Sequence, residues 1–77
     1  MEAEEAFGIA LRKLRKQRKL SQEKLALEAD VERNYISLLE LGRNSASIKV
    51  IFKLAKVLGV RPSELVGLAE AEQAQHG

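Results

Sequence analysis

The sequence predicts an all-α fold, a compact five-helix bundle that contains a helix-turn-helix. Apolar residues recur at three- and four-residue intervals, no segment alternates as a strand does, and Ser, Gly and Pro stand where helices are expected to begin or end. A chain of 77 residues has room for one small domain, which we place at residues 1–68. Residues 69–77 are small and polar, so we expect them to form a frayed C-terminal tail.

The first three predicted helices are located by apolar spacing or by residues that favour helix ends. Helix 1 is predicted over Glu4–Arg18, where apolar residues repeat at helical spacing. Ser21 is a good N-cap for helix 2, which is predicted over Gln22–Ala29. Helix 3 is predicted over Arg33–Leu41, and Gly42 after it suits the left-handed conformation that ends many helices.

The C-terminal half predicts two further helices. Ser47 caps helix 4, an apolar segment that stops at Gly59. Pro62 suits the first position of helix 5, because the amide hydrogen that proline lacks has no partner there in any helix. Leu65 and Val66 give this helix an apolar side, so all five helices are expected to share one core.

The segment from Gln22 to Leu41 carries the most informative pattern. Counted from Gln22, a small alanine is fifth, a valine tenth, an isoleucine fifteenth and a leucine eighteenth. Two short helices that each bury one face and cross at a steep angle have this spacing. The pattern resembles the helix-turn-helix of the phage repressor and Cro (XRE-type) family, whose lambda-repressor-like domain binds DNA.

The resemblance covers about residues 7–66, most of the chain. LRKLRKQRKLSQEKLA is similar to the family's junction between helices 1 and 2, and LGVRPSELV is similar to its junction between helices 4 and 5. Lys19 and Asp30 stand where the family usually has glycine, and Ala46 stands where proline often precedes helix 4. The resemblance implies that helix 3 enters the major groove of double-stranded DNA.

Basic residues are concentrated in the middle of the chain. All 13 lie between Arg12 and Arg61 with five acidic residues, so that span carries a net charge of +8 while the whole chain carries +2. Such a span favours a polyanionic partner, because contacts to phosphates release counterions. Basic side chains that only solvate helix faces would give the same count.

Four residues of helix 3 are predicted to contact base edges. At about 100° per residue, Ile36 and Leu39 point to the core. The candidates on the other sides of the helix are Arg33, Asn34, Ser37 and Leu38. Arg33 suits the O6 and N7 atoms of guanine, and Asn34 suits the N6 and N7 atoms of adenine. The serine is a less selective donor, and Leu38 suits a thymine methyl group. An ordinary solvated helix start is the alternative for the first two.

Four other residues are predicted to contact DNA phosphates. They are Gln22, Tyr35, Arg43 and Asn44. Gln22 begins helix 2, where free amides and the helix dipole favour a phosphate, and the resemblance implies the same role for a glutamine there. The arginine and asparagine follow helix 3 in a polar loop, and a flexible, solvated loop without DNA contacts is the alternative. Tyr35 is explained almost as well as a partly buried packing residue.

The resemblance also implies an ion pair between Arg15 and Glu40. Related proteins often pair an arginine of helix 1 with a glutamate late in helix 3, and these two residues occupy the matching places. We expect the pair to be partly buried and to fix helix 3 against helix 1. Two independent surface charges are the alternative.

Several apolar residues do not fit the core of a single copy. The predicted dimer interface on helices 4 and 5 consists of Phe52, Val57, Val66 and Leu68. A symmetric homodimer through these helices would place two copies of helix 3 about 34 Å apart on one side of the DNA. In the alternative, Phe52 and Val66 complete the small core.

These features predict a homodimeric, sequence-specific transcriptional regulator of a near-palindromic operator. Within the family, the compact size and the RNYIS segment resemble controller proteins of restriction–modification systems, for which contact with RNA polymerase is a further expectation. The alternative is an antitoxin-type protein that mainly covers a partner toxin and binds DNA secondarily.

No enzyme is indicated by the sequence. It has no cysteine, and its single histidine, His76, lies in the polar tail, so we predict no catalytic residue, no metal site and no cofactor. No apolar run reaches the roughly 20 residues of a membrane span and the charged N-terminus does not suit a signal peptide, which predicts a cytoplasmic protein without a membrane partner.

Overall fold

A computed structural model describes residues 1–76 of the chain and contains five α-helices. They are α1 (Ala3–Gln17), α2 (Gln22–Ala29), α3 (Arg33–Glu40), α4 (Ile48–Leu58) and α5 (Pro62–His76). The predicted all-α, five-helix fold is therefore confirmed, and the structure has no strand in this range. No helix within residues 1–76 is both long and apolar enough to cross a membrane.

Serine side chains begin α2 and α4 as the sequence predicts. The hydroxyl of Ser21 accepts a hydrogen bond from the backbone amide of Lys24 at 3.0 Å, and that of Ser47 accepts one from Val50 at 3.2 Å. Each hydroxyl thereby satisfies an amide that a helix start leaves without an intrahelical acceptor. These two contacts explain why the starts of both helices could be predicted to the residue.

Each of the first four helices is followed, within two residues, by a residue in the left-handed conformation. These residues are Lys19 (φ 59°), Asp30 (φ 57°), Gly42 (φ 72°) and Gly59 (φ 73°). The amide of the next residue then donates to a carbonyl five residues back, as in the bond from Leu20 to Arg15 of 3.1 Å. Lys19 and Asp30 therefore adopt the backbone for which the resemblance expects glycine, at a cost of about 1 kcal/mol each.

The core lies where all five helices meet. Its largest fully buried side chains are Leu11, Leu25, Ile36, Leu39, Leu54, Leu58 and Leu65. Ile36 and Leu39 are the two contributions of α3, so the side of α3 that the sequence assigns to the core is the side that is buried. This anchoring leaves the opposite side of α3 toward solvent.

Helix α1 approaches α3 so closely at Gly8 that no side chain fits there. A Cβ atom built on Gly8 would lie 2.3 Å from the carbonyl oxygen of Leu39 and 2.8 Å from that of Glu40. Sequence reasoning missed this residue, although an isolated glycine inside a helical pattern is a signal of close packing. Gly8 therefore sets the spacing between α1 and the end of α3.

The C-terminal segment differs from the prediction, because residues 69–76 are not frayed but continue α5. Two small buried residues of α1, Ala6 and Ala10, let α5 cross close to α1. Glu72 is buried in this contact and pairs with Lys13, with its Oε1 atom 2.5 Å from Nζ. Packing against α1 and this ion pair hold the segment in place, and Gly77, the last residue of the predicted tail, lies outside the described residues.

Candidate nucleic-acid interface

The side of α3 away from the core presents all four residues predicted to contact bases. Arg33 and Asn34 are exposed at the first two positions of the helix, and Ser37 and Leu38 are half-buried one turn later. Glu32 precedes them as the N-cap without a side-chain capping bond. Within residues 1–76, neither Arg33 nor Asn34 forms a side-chain hydrogen bond or ion pair, so both keep their donors available.

Gln22 occupies the start of α2 but is not a free surface residue. Its Nε2 atom donates a hydrogen bond of 3.0 Å to Oε1 of Glu40, at the end of α3. The side chain is half-buried, and its amide has a second hydrogen for another acceptor. Sequence reasoning located Gln22 at the helix start and missed its contact with Glu40, because the two residues are 18 positions apart.

Tyr35 uses its hydroxyl within the protein. The hydroxyl donates a hydrogen bond of 3.0 Å to the carbonyl oxygen of Ser45, and the ring packs against the core. The alternative of a partly buried packing residue therefore describes the free protein, in which the hydroxyl hydrogen is not directed to solvent. The contact ties α3 to the loop that follows it.

That loop carries Arg43 and Asn44, the other two predicted phosphate contacts. Both are exposed directly after Gly42, whose left-handed backbone turns the chain out of α3. Oδ1 of Asn44 accepts a hydrogen bond of 2.9 Å from the amide of Ser45, and within residues 1–76 the amino group of Asn44 forms no hydrogen bond. The loop is thus held at the end of α3 by Ser45 on one side and Gly42 on the other.

Arg15 and Glu40 form the ion pair that the resemblance implies. Nε of Arg15 lies 2.6 Å from Oε2 of Glu40, Nη2 lies 3.0 Å from Oε1, and Nη1 donates to the carbonyl of Leu20 at 2.8 Å. The two side chains are only 10% and 4% exposed, so they are not independent surface charges. The hydrogen bonds to Glu40 raise the pKa of the Arg15 guanidinium above its usual value, against the opposing effect of burial.

The residues predicted for a dimer interface differ in their exposure. Phe52 and Val66 are 58% and 48% exposed, so neither completes the core. Val66 lines a shallow cavity of about 360 Å³ between α1, α4 and α5. Leu68 is also exposed but lines a different cleft beside α1, and Val57 is half-buried against the core.

An additional apolar residue, Ile48, is 70% exposed one helical turn before Phe52. Residues four apart on a helix are neighbours on its surface, so Ile48 and Phe52 form one exposed apolar pair on α4. This four-residue spacing is visible in the sequence, but the predicted interface did not include Ile48.

Helix α3 has eight residues, is anchored by its apolar side and exposes Arg33 and Asn34 at its start, with a supporting helix behind it. This arrangement defines a helix-turn-helix DNA-binding protein. Residues 11–65 match the helix-turn-helix family HTH_3, and the chain belongs to this family. The chain is accordingly a DNA-binding transcriptional regulator.

Comparisons with known proteins agree with this assignment. The chain is 44% identical over 61 residues to control protein C.BamHI of Bacillus amyloliquefaciens, across 78% of this chain and 75% of that protein. It is also similar to the crystal structure of the restriction-modification controller protein C.AhdI from Aeromonas hydrophila, with a TM-score of 0.78 and 40% identity. The match covers 80% of this chain and 94% of C.AhdI. The clp gene regulator ClgR from Corynebacterium glutamicum gives a TM-score of 0.94 at 28% identity, across 99% of this chain and 81% of ClgR.

Proposed function

We propose that the chain acts in the cytoplasm as a homodimeric regulator of a restriction–modification operon, bound to a near-palindromic operator. The observation that carries the DNA-binding part is the exposed side of α3, where Arg33 and Asn34 have no partner within residues 1–76 while Ile36 on the other side is fully buried. The similarity to C.BamHI and to C.AhdI supports the controller assignment.

In this proposal α3 lies in the major groove and its exposed residues contact the bases. Arg33 donates two hydrogen bonds to a guanine, and Asn34 forms two with an adenine. Ser37 and Leu38, which are half-buried, contact a flanking base and a thymine methyl group. Each good bidentate contact contributes about 1–3 kcal/mol of discrimination against the wrong base.

The proposed phosphate contacts flank α3 on both sides. Gln22 contacts one phosphate at the start of α2, and Arg43 and Asn44 contact another from the loop after α3. Tyr35 contributes only if its hydroxyl leaves the carbonyl of Ser45 on binding, so in the free protein its role is to hold this loop. These contacts fix the register of the protein and carry no sequence preference of their own.

The first prediction compares two arginines, Arg33 and Arg43. A duplex selected by the native protein from a random library serves as the operator, and a scrambled duplex serves as the reference. Arg33→Ala should lose about 1–3 kcal/mol of discrimination per half-site while nonspecific, salt-sensitive binding persists. The affinities of this variant for the operator and for the scrambled duplex, measured by fluorescence anisotropy across a salt series, should therefore become similar.

Arg43→Ala is the matched control because it removes the same side chain from the loop. It should weaken binding to both duplexes alike and reduce the salt slope by about one per phosphate contact. Unchanged specificity of Arg33→Ala, or a loss confined to one duplex in Arg43→Ala, would contradict the assigned roles.

The second prediction concerns self-association. We propose that Ile48, Phe52 and Val66 form the centre of the dimer interface, since these apolar residues are exposed on α4 and α5. Sedimentation velocity of the native protein should show a dimer, and Phe52→Glu should shift it to a monomer with unchanged helix content, since the side chain is not part of the core.

The same measurement separates the second candidate function. An antitoxin-type protein would use the exposed pair Ile48 and Phe52 for a different protein, so the native chain alone would sediment as a monomer. A dimer that dissociates in Phe52→Glu supports the regulator. A native monomer at micromolar concentration would contradict the homodimer and favour a missing partner.

A further inference from the structure

The buried carboxylate of Glu40 connects three helices, α1, α2 and α3, of which α2 and α3 carry the proposed DNA contacts. Glu40, the last residue of α3, accepts two hydrogen bonds from Arg15 of α1 and one from Gln22 of α2. Arg15 also donates to the carbonyl of Leu20 in the turn between α1 and α2. The side chain of Glu40 is only 4% exposed, so its carboxylate is shielded from solvent, and its bond to Gln22 connects it to the start of α2.

The contact with Glu40 gives Gln22 one orientation before any DNA is present. A glutamine side chain loses rotamer entropy when it is ordered, and here that loss accompanies folding instead of DNA binding. The amide group is planar, so fixing one Nε2 hydrogen on Glu40 also fixes the direction of the second. Within residues 1–76 that second hydrogen has no acceptor, and it remains for a ligand at the start of the helix.

Arg15 has a separate electrostatic task in this arrangement. A lone carboxylate next to the start of α2 would repel a DNA phosphate, because like charges at short range are unfavourable. The guanidinium of Arg15 neutralises Glu40 with two parallel hydrogen bonds, the strongest geometry for such a pair. Glu40 can therefore orient Gln22 without adding negative charge to the phosphate site.

We propose that Glu40 is a positioning residue for the DNA-phosphate contact of Gln22, with Arg15 holding Glu40 in place and cancelling its charge. The inference rests on the proposed DNA-binding function and deepens it, because it makes the strength of a phosphate contact at α2 depend on a residue at the end of the base-contacting helix. The hydrogen-bonded carboxylate of Glu40 then sets the register of α2 and α3 on the duplex.

The test is a cycle of four proteins: the native chain, Gln22→Ala, Arg15→Met/Glu40→Met, and the triple variant. Methionine replaces both charges because apolar side chains of similar volume often substitute for a buried ion pair with little loss of stability. Affinity is measured for the duplex that the native protein selects from a random library. In the native background Gln22→Ala should weaken binding about 10-fold, the effect of one hydrogen bond to a charged group. In the methionine background it should have no further effect.

Two outcomes separate this inference from the function on which it rests. Equal losses from Gln22→Ala in both backgrounds would overturn the positioning role and leave DNA binding intact. Failure of the native protein to select any duplex would overturn the proposed function itself. Circular dichroism of each variant establishes that the affinities compare folded proteins.

A measurement on the native protein alone covers the case in which the methionine variant does not fold. NMR relaxation of side-chain amides compares Gln22 with Gln17, an exposed glutamine at the end of α1 that forms no side-chain hydrogen bond within residues 1–76. The order parameter of the Gln22 amide should approach that of the rigid backbone, about 0.85, while that of Gln17 should fall below about 0.6. Equal mobility of the two amides would overturn the proposal.

Discussion

Replacing Glu40 with alanine is expected to lower the free energy of unfolding by about 3–5 kcal/mol. The loss has two parts: Arg15 remains buried with an uncompensated positive charge, and Gln22 loses the acceptor that holds it. A domain of 77 residues has a total stability of about 4–12 kcal/mol, so this one change should remove a large part of it. Urea denaturation followed by circular dichroism measures the difference.

The chain offers a matched control in the pair Lys24–Glu28, which lies on the surface of α2. Its side chains are 57% and 44% exposed, although the charges are 3.2 Å apart. Exposed pairs four residues apart contribute only about 0.3–0.5 kcal/mol, so Glu28→Ala should change stability little. Similar losses from Glu28→Ala and Glu40→Ala would show that the burial of Glu40 has no energetic consequence.

Local signals predicted most of the framework that positions α3. Ser21 and Ser47 supply side-chain caps, and the amphipathic spacing of Ile36 and Leu39 identifies the buried side of α3. Two of the left-handed residues that follow the first four helices are glycines, Gly42 and Gly59, and the sequence predicts helix ends at both. Lys19 takes this conformation without being glycine, because the chain must turn there whichever residue is present.

Contacts between distant residues were beyond the same reasoning. The hydroxyl of Tyr35 binds the carbonyl of Ser45, and Gln22 binds Glu40, because the fold brings these groups together. Periodicity predicts which side of a helix is buried, whereas the partner of a polar side chain depends on how helices cross. The Arg15–Glu40 pair was foreseen only through a family resemblance.

The C-terminal half of α5 shows a different limit. The small, polar residues of its sequence AEAEQAQH predict a frayed tail, although alanine, glutamate and glutamine are strong helix formers. Small residues are also what a close helix crossing needs, and Ala6 and Ala10 of α1 supply the other half of that contact. Composition suggested disorder where propensity and packing both favour helix.

The second large effect is expected at Gly8, where alanine should lower the free energy of unfolding by about 3 kcal/mol. In an unobstructed helix the same change stabilises by about 0.5–1 kcal/mol, because glycine loses more backbone freedom on folding. At Gly8 the added methyl group would lie 2.3 Å from the carbonyl oxygen of Leu39, which belongs to the backbone of α3 and cannot rotate away. α1 and α3 must therefore separate, and Arg15 must reach further to Glu40.

Gly67 provides the control because it is also a helical glycine, on the exposed surface of α5, and a Cβ built there meets nothing within 4 Å. Gly67→Ala should raise the free energy of unfolding by about 0.5–1 kcal/mol, so the two alanine substitutions should have opposite signs in the same urea titration. A stabilising Gly8→Ala would mean that α1 and α3 have room between them, and the close approach that fixes α3 against α1 would then be absent. DNA affinity of the folded fraction of Gly8→Ala should also fall, because a displaced α3 no longer lies in register with Gln22.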